Sequence, residues 1–148
     1  MASFFHFFHR ISFDRALRRL INDIESRALD TFLEALLSAM RLAFLLDKEY
    51  RRNIAGFKAR YAFKSRDGRI AASAIFDKKS MKVKRHAVGD TNVTIVFKDS
   101  ESLKDFLFSK EPDVIGAILD NRLTYDGNLN YIAKFAFMAK QLQLKFTP

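Results

Sequence analysis

Phe57-Lys58-Ala59-Arg60-Tyr61-Ala62-Phe63-Lys64-Ser65-Arg66-Asp67-Gly68-Arg69-Ile70-Ala71-Ala72-Ser73-Ala74-Ile75-Phe76 has a hydrophobic period of two. In an extended chain, Phe57, Ala59, Tyr61 and Phe63 fall on one side and Lys58, Arg60, Ala62 and Lys64 on the other, which is the pattern of a half-buried strand. Asp67-Gly68 between two alternating runs is a strong hairpin signal. Ile70, Ala72, Ala74 and Phe76 continue as the second strand, and their small members leave room above a sheet.

Downstream, the alternation persists. Met81 to Val88 reads as a third strand, with Met81, Val83 and Arg85 opposed to Lys82, Lys84 and His86. Gly89-Asp90 reads as the next turn, and Asn92 to Lys98 as a fourth strand with Val93, Ile95 and Phe97 on one face. Four successive strands predict an antiparallel meander whose basic residues line a solvated outer face. Asp99-Ser100 then has helix-capping chemistry, followed by Leu103, Phe106 and Leu107 at helical spacing. Pro112 suits a first helical position, and Val114, Ile115, Ile118 and Leu119 form the stripe of a short helix ended by Asn121. Leu123 to Tyr125 is a short fifth strand before Asp126-Gly127. A last helix runs from Leu129 to about Leu144, with Ile132, Phe135, Ala136, Met138, Ala139 and Leu142 inward.

Upstream, residues 47–56 are charged, end in Gly56 and read as a linker. Residues 13–29 form an amphipathic pattern with Leu17, Leu20, Ile21, Ile24 and Ala28 on one face. Thr31 and Glu34 have capping-box spacing and open a second helix to about Leu46, whose apolar set is broad enough to need cover on most sides. The expected fold is α+β: a five-stranded, mainly antiparallel sheet covered on one face by helices, with an N-terminal helical extension. Residues 1–48 are the two-helix extension and 49–148 the sheet-bearing domain, together one compact unit, as suits a chain of 148 residues.

Composition narrows the function. An apolar share of 49% argues against disorder, and 16 Phe with no Trp exceed what a core of this size needs. The surplus fits a ring-lined cavity or an apolar surface that meets lipid or a partner. The absence of Cys excludes disulfides, Cys-ligated zinc, iron–sulfur clusters and thiol catalysis, and fits a reducing compartment. The Phe-rich N-terminus, Met1 to Phe8, does not read as a secretory signal, because it has no basic lead and His6, His9, Arg10 and Asp14 interrupt any apolar run that a signal needs. Phe32 to Leu46, the longest near-apolar run, is too short for a membrane span and contains Glu34 and Arg41. The expected location is cytoplasmic, with peripheral membrane contact. Of a net charge of +9, residues 58–98 carry eleven Lys/Arg against three Asp/Glu. Such a stretch attracts anionic headgroups, nucleic acid or an acidic protein, or is a sheet face kept soluble by lysine.

Catalytic signatures are missing. The histidines are His6, His9 and His86, and no Ser sits in a nucleophile-elbow context. There is no glycine-rich phosphate loop and no His-Glu metal motif. The acidic group Asp99, Glu101 and Asp105 is explained by capping and the helix dipole. The reading is a non-enzyme with no catalytic residue, no metal and no cofactor.

Val93-Thr94-Ile95-Val96-Phe97 runs straight into Lys98-Asp99-Ser100-Glu101-Ser102-Leu103-Lys104-Asp105-Phe106, and a short helix leads to Leu123-Thr124-Tyr125-Asp126-Gly127-Asn128 and a helix containing Lys134-Phe135. This order of strand, two short helices, strand with a Gly-Asp-like turn and final helix resembles the sterol carrier protein type 2 domain. The hairpin at Asp67-Gly68 fits the family's first hairpin, and the resemblance covers about residues 50–146. It rests on element order with modest local identities. The two long N-terminal helices depart from it, since many relatives have a shorter lead. The resemblance implies an apolar tunnel between sheet and helices that binds or transfers fatty acyl chains, phospholipids or sterols, without invariant catalytic residues.

The candidate tunnel walls are Phe57, Tyr61, Phe63, Ala72, Ala74, Phe76, Phe106, Ile115, Leu119, Ile132, Phe135, Met138 and Leu142. Each of them also reads singly as ordinary core. Tyr125 and Asn128 are candidates for headgroup contact or for turn chemistry. The expected partners are a lipid ligand and an anionic membrane, with a homodimer or partner protein engaged through residues 1–46. The alternative function is an accessory or scaffold subunit of a lipid- or quinone-metabolising complex. Nucleic acid is not expected, because the basic strands lack an RNA-recognition aromatic signature.

Overall fold

The computed structural model describes Arg15, residues 29–108 and residues 113–146. The Phe-rich stretch 1–8, Pro112 and, apart from a helical Arg15, the amphipathic stretch 13–28 lie outside the described residues. The elements are α1 (Leu29–Leu46), α2 (Lys48–Arg51), a 3-10 turn (Arg52–Ile54), β1 (Phe57–Ser65), β2 (Ala71–Lys78), β3 (Ser80–Lys84), β4 (Val93–Phe97), α3 (Ser100–Phe108), α4 (Val114–Leu119), β5 (Leu123–Gly127) and α5 (Leu129–Phe146).

The sheet has the order β3-β2-β1-β4-β5. β1 and β2 form the expected hairpin, with Phe63 opposite Ala72 and Tyr61 opposite Ala74. Its turn is held by Asp67, whose carboxylate accepts from the Ser65 hydroxyl and, at 3.1 Å, from the Arg69 N–H. These bonds, the Ser65 one foremost, hold the Asp67 carboxyl below the usual carboxylate range. β3 pairs antiparallel with β2, and β5 with β4, but β4 lies parallel to β1. The meander is therefore limited to the first three strands.

The reason for the departure lies in residues 85–92. β3 ends at Lys84, short of the expected Val88, and Gly89-Asp90 belongs to a crossover rather than a hairpin turn. The crossover passes over the outer sheet face, where the buried Ser73 hydroxyl donates to the His86 carbonyl and accepts from the Val88 N–H, at 2.8 and 2.9 Å. Asn92 then pairs with Arg60 in both directions, its side chain accepting from the Arg60 N–H at 2.8 Å and its N–H donating to the Arg60 carbonyl at 2.9 Å. That exchange delivers the chain to the far side of β1.

Helices cover the inner face, as the alternation requires. α1 buries Leu33, Leu36, Leu37, Met40 and Phe44 together with Ala35, Ala39 and Ala43, so it is covered on most sides. Thr31 lies inside α1 and is not its cap. Residues 47–56 are not a linker: Asp47 caps α2, and both Tyr50 and Ile54 are fully buried. Asp99 caps α3 by accepting from the Ser102 N–H at 2.8 Å, as expected, which lowers its carboxyl's pKa. Asn121 ends the α4 segment in the left-handed region at φ 60°. β5 is longer than expected and includes Asp126 and Gly127. α5 runs to Phe146 and buries Ile132, Phe135, Ala136, Met138, Ala139 and Leu142, the inward set expected of it.

Candidate functional site: an aromatic layer between sheet and helices

The alternation of β1 and β2 sends Tyr61, Phe63 and Phe76 inward, and α5 returns Phe135 onto them. The rings form a connected series. Phe63 and Phe135 are 4.8 Å apart by centroid, Tyr61 and Phe135 5.7 Å, and Tyr61 and Phe76 5.6 Å. Phe57 joins at 5.4 Å from Phe76, and Phe44 of α1 at 6.1 Å. All these are contact separations for aromatic pairs. The ring-bearing middle of the layer is therefore filled by side chains.

Two phenols anchor α5 to this layer. The Tyr61 hydroxyl donates to the Tyr131 carbonyl at 2.7 Å, and the Tyr50 hydroxyl to the Met138 carbonyl at 2.8 Å. The acceptors are two helical turns apart on the side of α5 that faces the core. Burial pushes both phenols well above their ordinary range, so they remain neutral donors. Asn53 adds a bond to Gln141 at 2.7 Å, and the Lys134 ammonium lies 5.2 Å from the centre of the Phe57 ring.

Most of the expected wall residues meet here. Tyr61, Phe63, Ala72, Ala74, Phe76, Phe106, Ile132, Phe135, Met138 and Leu142 are buried in one apolar cluster, and Phe57 packs half-buried against it. Ile115 and Leu119 do not join them. They are 55% and 79% exposed, because six-residue α4 leans on β5 and buries Ala117 instead. Asn128 is engaged in turn chemistry, accepting from the Asn130 N–H at 2.9 Å, while Tyr125 stands 39% exposed on the inner side of edge strand β5. Sequence reasoning passed over Tyr50 and Tyr131. For Tyr50 the signal was its four-residue spacing to Ile54 inside a charged stretch.

Among the described residues no cluster of His, Asp or Glu is placed to hold a metal ion. No helix among them is long and apolar enough to cross a membrane.

No protein-family model matches the sequence, and no curated protein matches it. Solved structures do match. A ubiquinone synthesis protein, UbiJ-SCP2, has a TM-score of 0.54 at 15% identity, over 72% of this chain and 87% of that one. Sterol carrier protein domain 2 of Helicoverpa armigera has a TM-score of 0.52 at 19% identity, over 76% of this chain and 87% of that one. A stereoselective inverting sec-alkylsulfatase of Pseudomonas sp. has a TM-score of 0.53 at 14% identity over 66% of this chain, which spans only 16% of the enzyme's length. At such identities the likeness is one of architecture. The chain has the fold of sterol carrier protein type 2 domains.

Proposed function

We propose that the protein is a non-catalytic lipid-binding domain that holds an acyl or prenyl chain in the apolar layer between the sheet and helices α1, α3 and α5. The observation that carries this reading is the aromatic interior of a sterol-carrier fold, with Ala72 and Ala74 as small residues on the inner face of β2. Each methylene moved from water into such a layer contributes roughly 0.8 kcal/mol, so a long chain needs no specific polar contact to bind. Because the rings already touch, the chain displaces part of the Phe63–Tyr61–Phe135 contact as it enters.

Access belongs to the helical side. Phe137 and Leu144 are 57% and 68% exposed on the outward side of α5, and Ile115 and Leu119 stand exposed on α4. These side chains suit shallow contact with a bilayer interface. An accessory role in a lipid- or quinone-modifying complex is compatible: most apolar side chains of α1 from Leu33 to Phe44 pack in this chain's own core, while Leu45 and Leu46 stand exposed at its end and remain available to a partner.

The test is native mass spectrometry of the purified chain and of Ala74→Leu, with added oleate. The wild type is expected to carry a lipid or take up oleate. The variant adds bulk to the filled layer beside Tyr61, where an entering chain has to displace rings, so it is expected to fold and to lose uptake. No uptake by the wild type, or full uptake by a folded Ala74→Leu, would overturn the assignment.

A further inference from the structure

The excess positive charge of residues 58–98 has a definite place in the fold. Lys58 and Lys64 of β1 and Lys82 and Lys84 of β3 project from the outer face and are exposed. Arg60 lies half-buried between them. The two ion pairs found among the described residues, Arg85–Glu34 and Arg122–Asp120, involve none of these lysines. Asp77, beside Lys58, and Asp126, on the far edge, are the acidic side chains of the strands on this face, and the crossover that passes over it adds the exposed Asp90.

We infer that this face docks an acidic protein surface. Two observations decide against a bilayer. Among the described residues the exposed large apolar side chains, Phe137, Leu144, Leu119 and their like, are on helices or, for Tyr125, on the inner side of β5, so none of them stands on the lysine face to insert. A bilayer held on the lysines would also be separated from the aromatic layer by a continuous hydrogen-bonded sheet, through which no lipid passes. Nucleic acid is disfavoured because the outward positions of the strands carry no aromatic ring on which a base stacks. The lysines stand on paired strands in fixed register, and a rigid array of this kind complements an equally fixed set of carboxylates. The protein thus has two opposite working sides, an apolar one for lipid and a basic one for a protein. The inference rests on the lipid-binding reading for its account of the helical side.

The experiment compares two full-length variants of equal net charge. One carries Lys58→Gln, Lys64→Gln, Lys82→Gln and Lys84→Gln. The other carries Arg41→Gln, Lys48→Gln, Arg52→Gln and Lys134→Gln on the helical side. Binding to poly-L-glutamate and to phosphatidylcholine vesicles containing phosphatidylserine is measured for both, with circular dichroism to verify the fold. The sheet-face variant is expected to lose more than about tenfold in polyglutamate affinity and the control less than about threefold, since position rather than net charge matters. Vesicle binding is expected to fall more in the control. Equal losses on polyglutamate, or a greater vesicle loss in the sheet-face variant, would overturn the inference, the second by assigning the face to a bilayer. Oleate uptake measured alongside separates the two readings: its absence from the wild type removes the lipid function and leaves the polyglutamate comparison standing.

Discussion

Tyr50 and Tyr61 each place a buried hydroxyl against a carbonyl of α5, although one comes from a two-turn helical connection and the other from the central strand. A buried hydroxyl left without a partner would cost about 1–3 kcal/mol, so both groups act as constraints on where α5 lies. Replacing Tyr61 by Phe removes the hydroxyl but keeps the ring contacts with Phe63 and Phe135. The expected result is a loss of about 1 kcal/mol, read as a lower urea midpoint at unchanged m. Lipid uptake should rise or hold, since α5 is then tied less firmly. Tyr61 was visible in the sequence as an inward strand residue, but its acceptor was not, because the bond joins residues 70 apart.

At the scale of elements, β5 depends on one glycine. Gly127 has φ +115°, and a Cβ there would lie 2.2 Å from the Asn92 carbonyl oxygen. The Gly127→Ala variant is therefore expected to lose more than about 1 kcal/mol, with loss concentrated in β4–β5 amide protection by hydrogen exchange. In sequence, Asp126-Gly127 looked like a turn, since the dipeptide has turn chemistry and the close approach of Asn92 is a tertiary fact. The crossover of residues 85–92 was hidden for a similar reason. Gly89-Asp90 between alternating runs also reads as a turn, and the pairing of β4 with β1 rather than with β3 makes it part of a crossover. α4 shows the limit of periodicity: Val114, Ile115, Ile118 and Leu119 have the right spacing, yet a six-residue helix against a sheet edge buries little of it.

For the whole molecule, the absence of Trp leaves the four tyrosines as the intrinsic fluorophores, and Tyr61 stands in the middle of the ring series. If a chain displaces those contacts, titration with oleate should change tyrosine emission in a saturable way. An unchanged spectrum at saturating uptake would place the lipid away from Tyr61. The same scale governs the division of surfaces, because the sheet stands between the apolar helical side and the lysine face.

The strand alternation of 57–76, the inward stripe of α5 and the capping at Asp99 were legible in the amino-acid sequence by itself, since each depends on side-chain periodicity or chemistry within a few neighbours. From them came the α+β class, a sheet covered on one face, and most of the residues in the aromatic layer. The parallel placement of β4, the burial of Tyr50 and Ile54 in a charged stretch, and the outward orientation of Ile115 and Leu119 were decided by tertiary structure. Each depends on which surface lies opposite, a contact between residues far apart in the chain that local patterning does not encode.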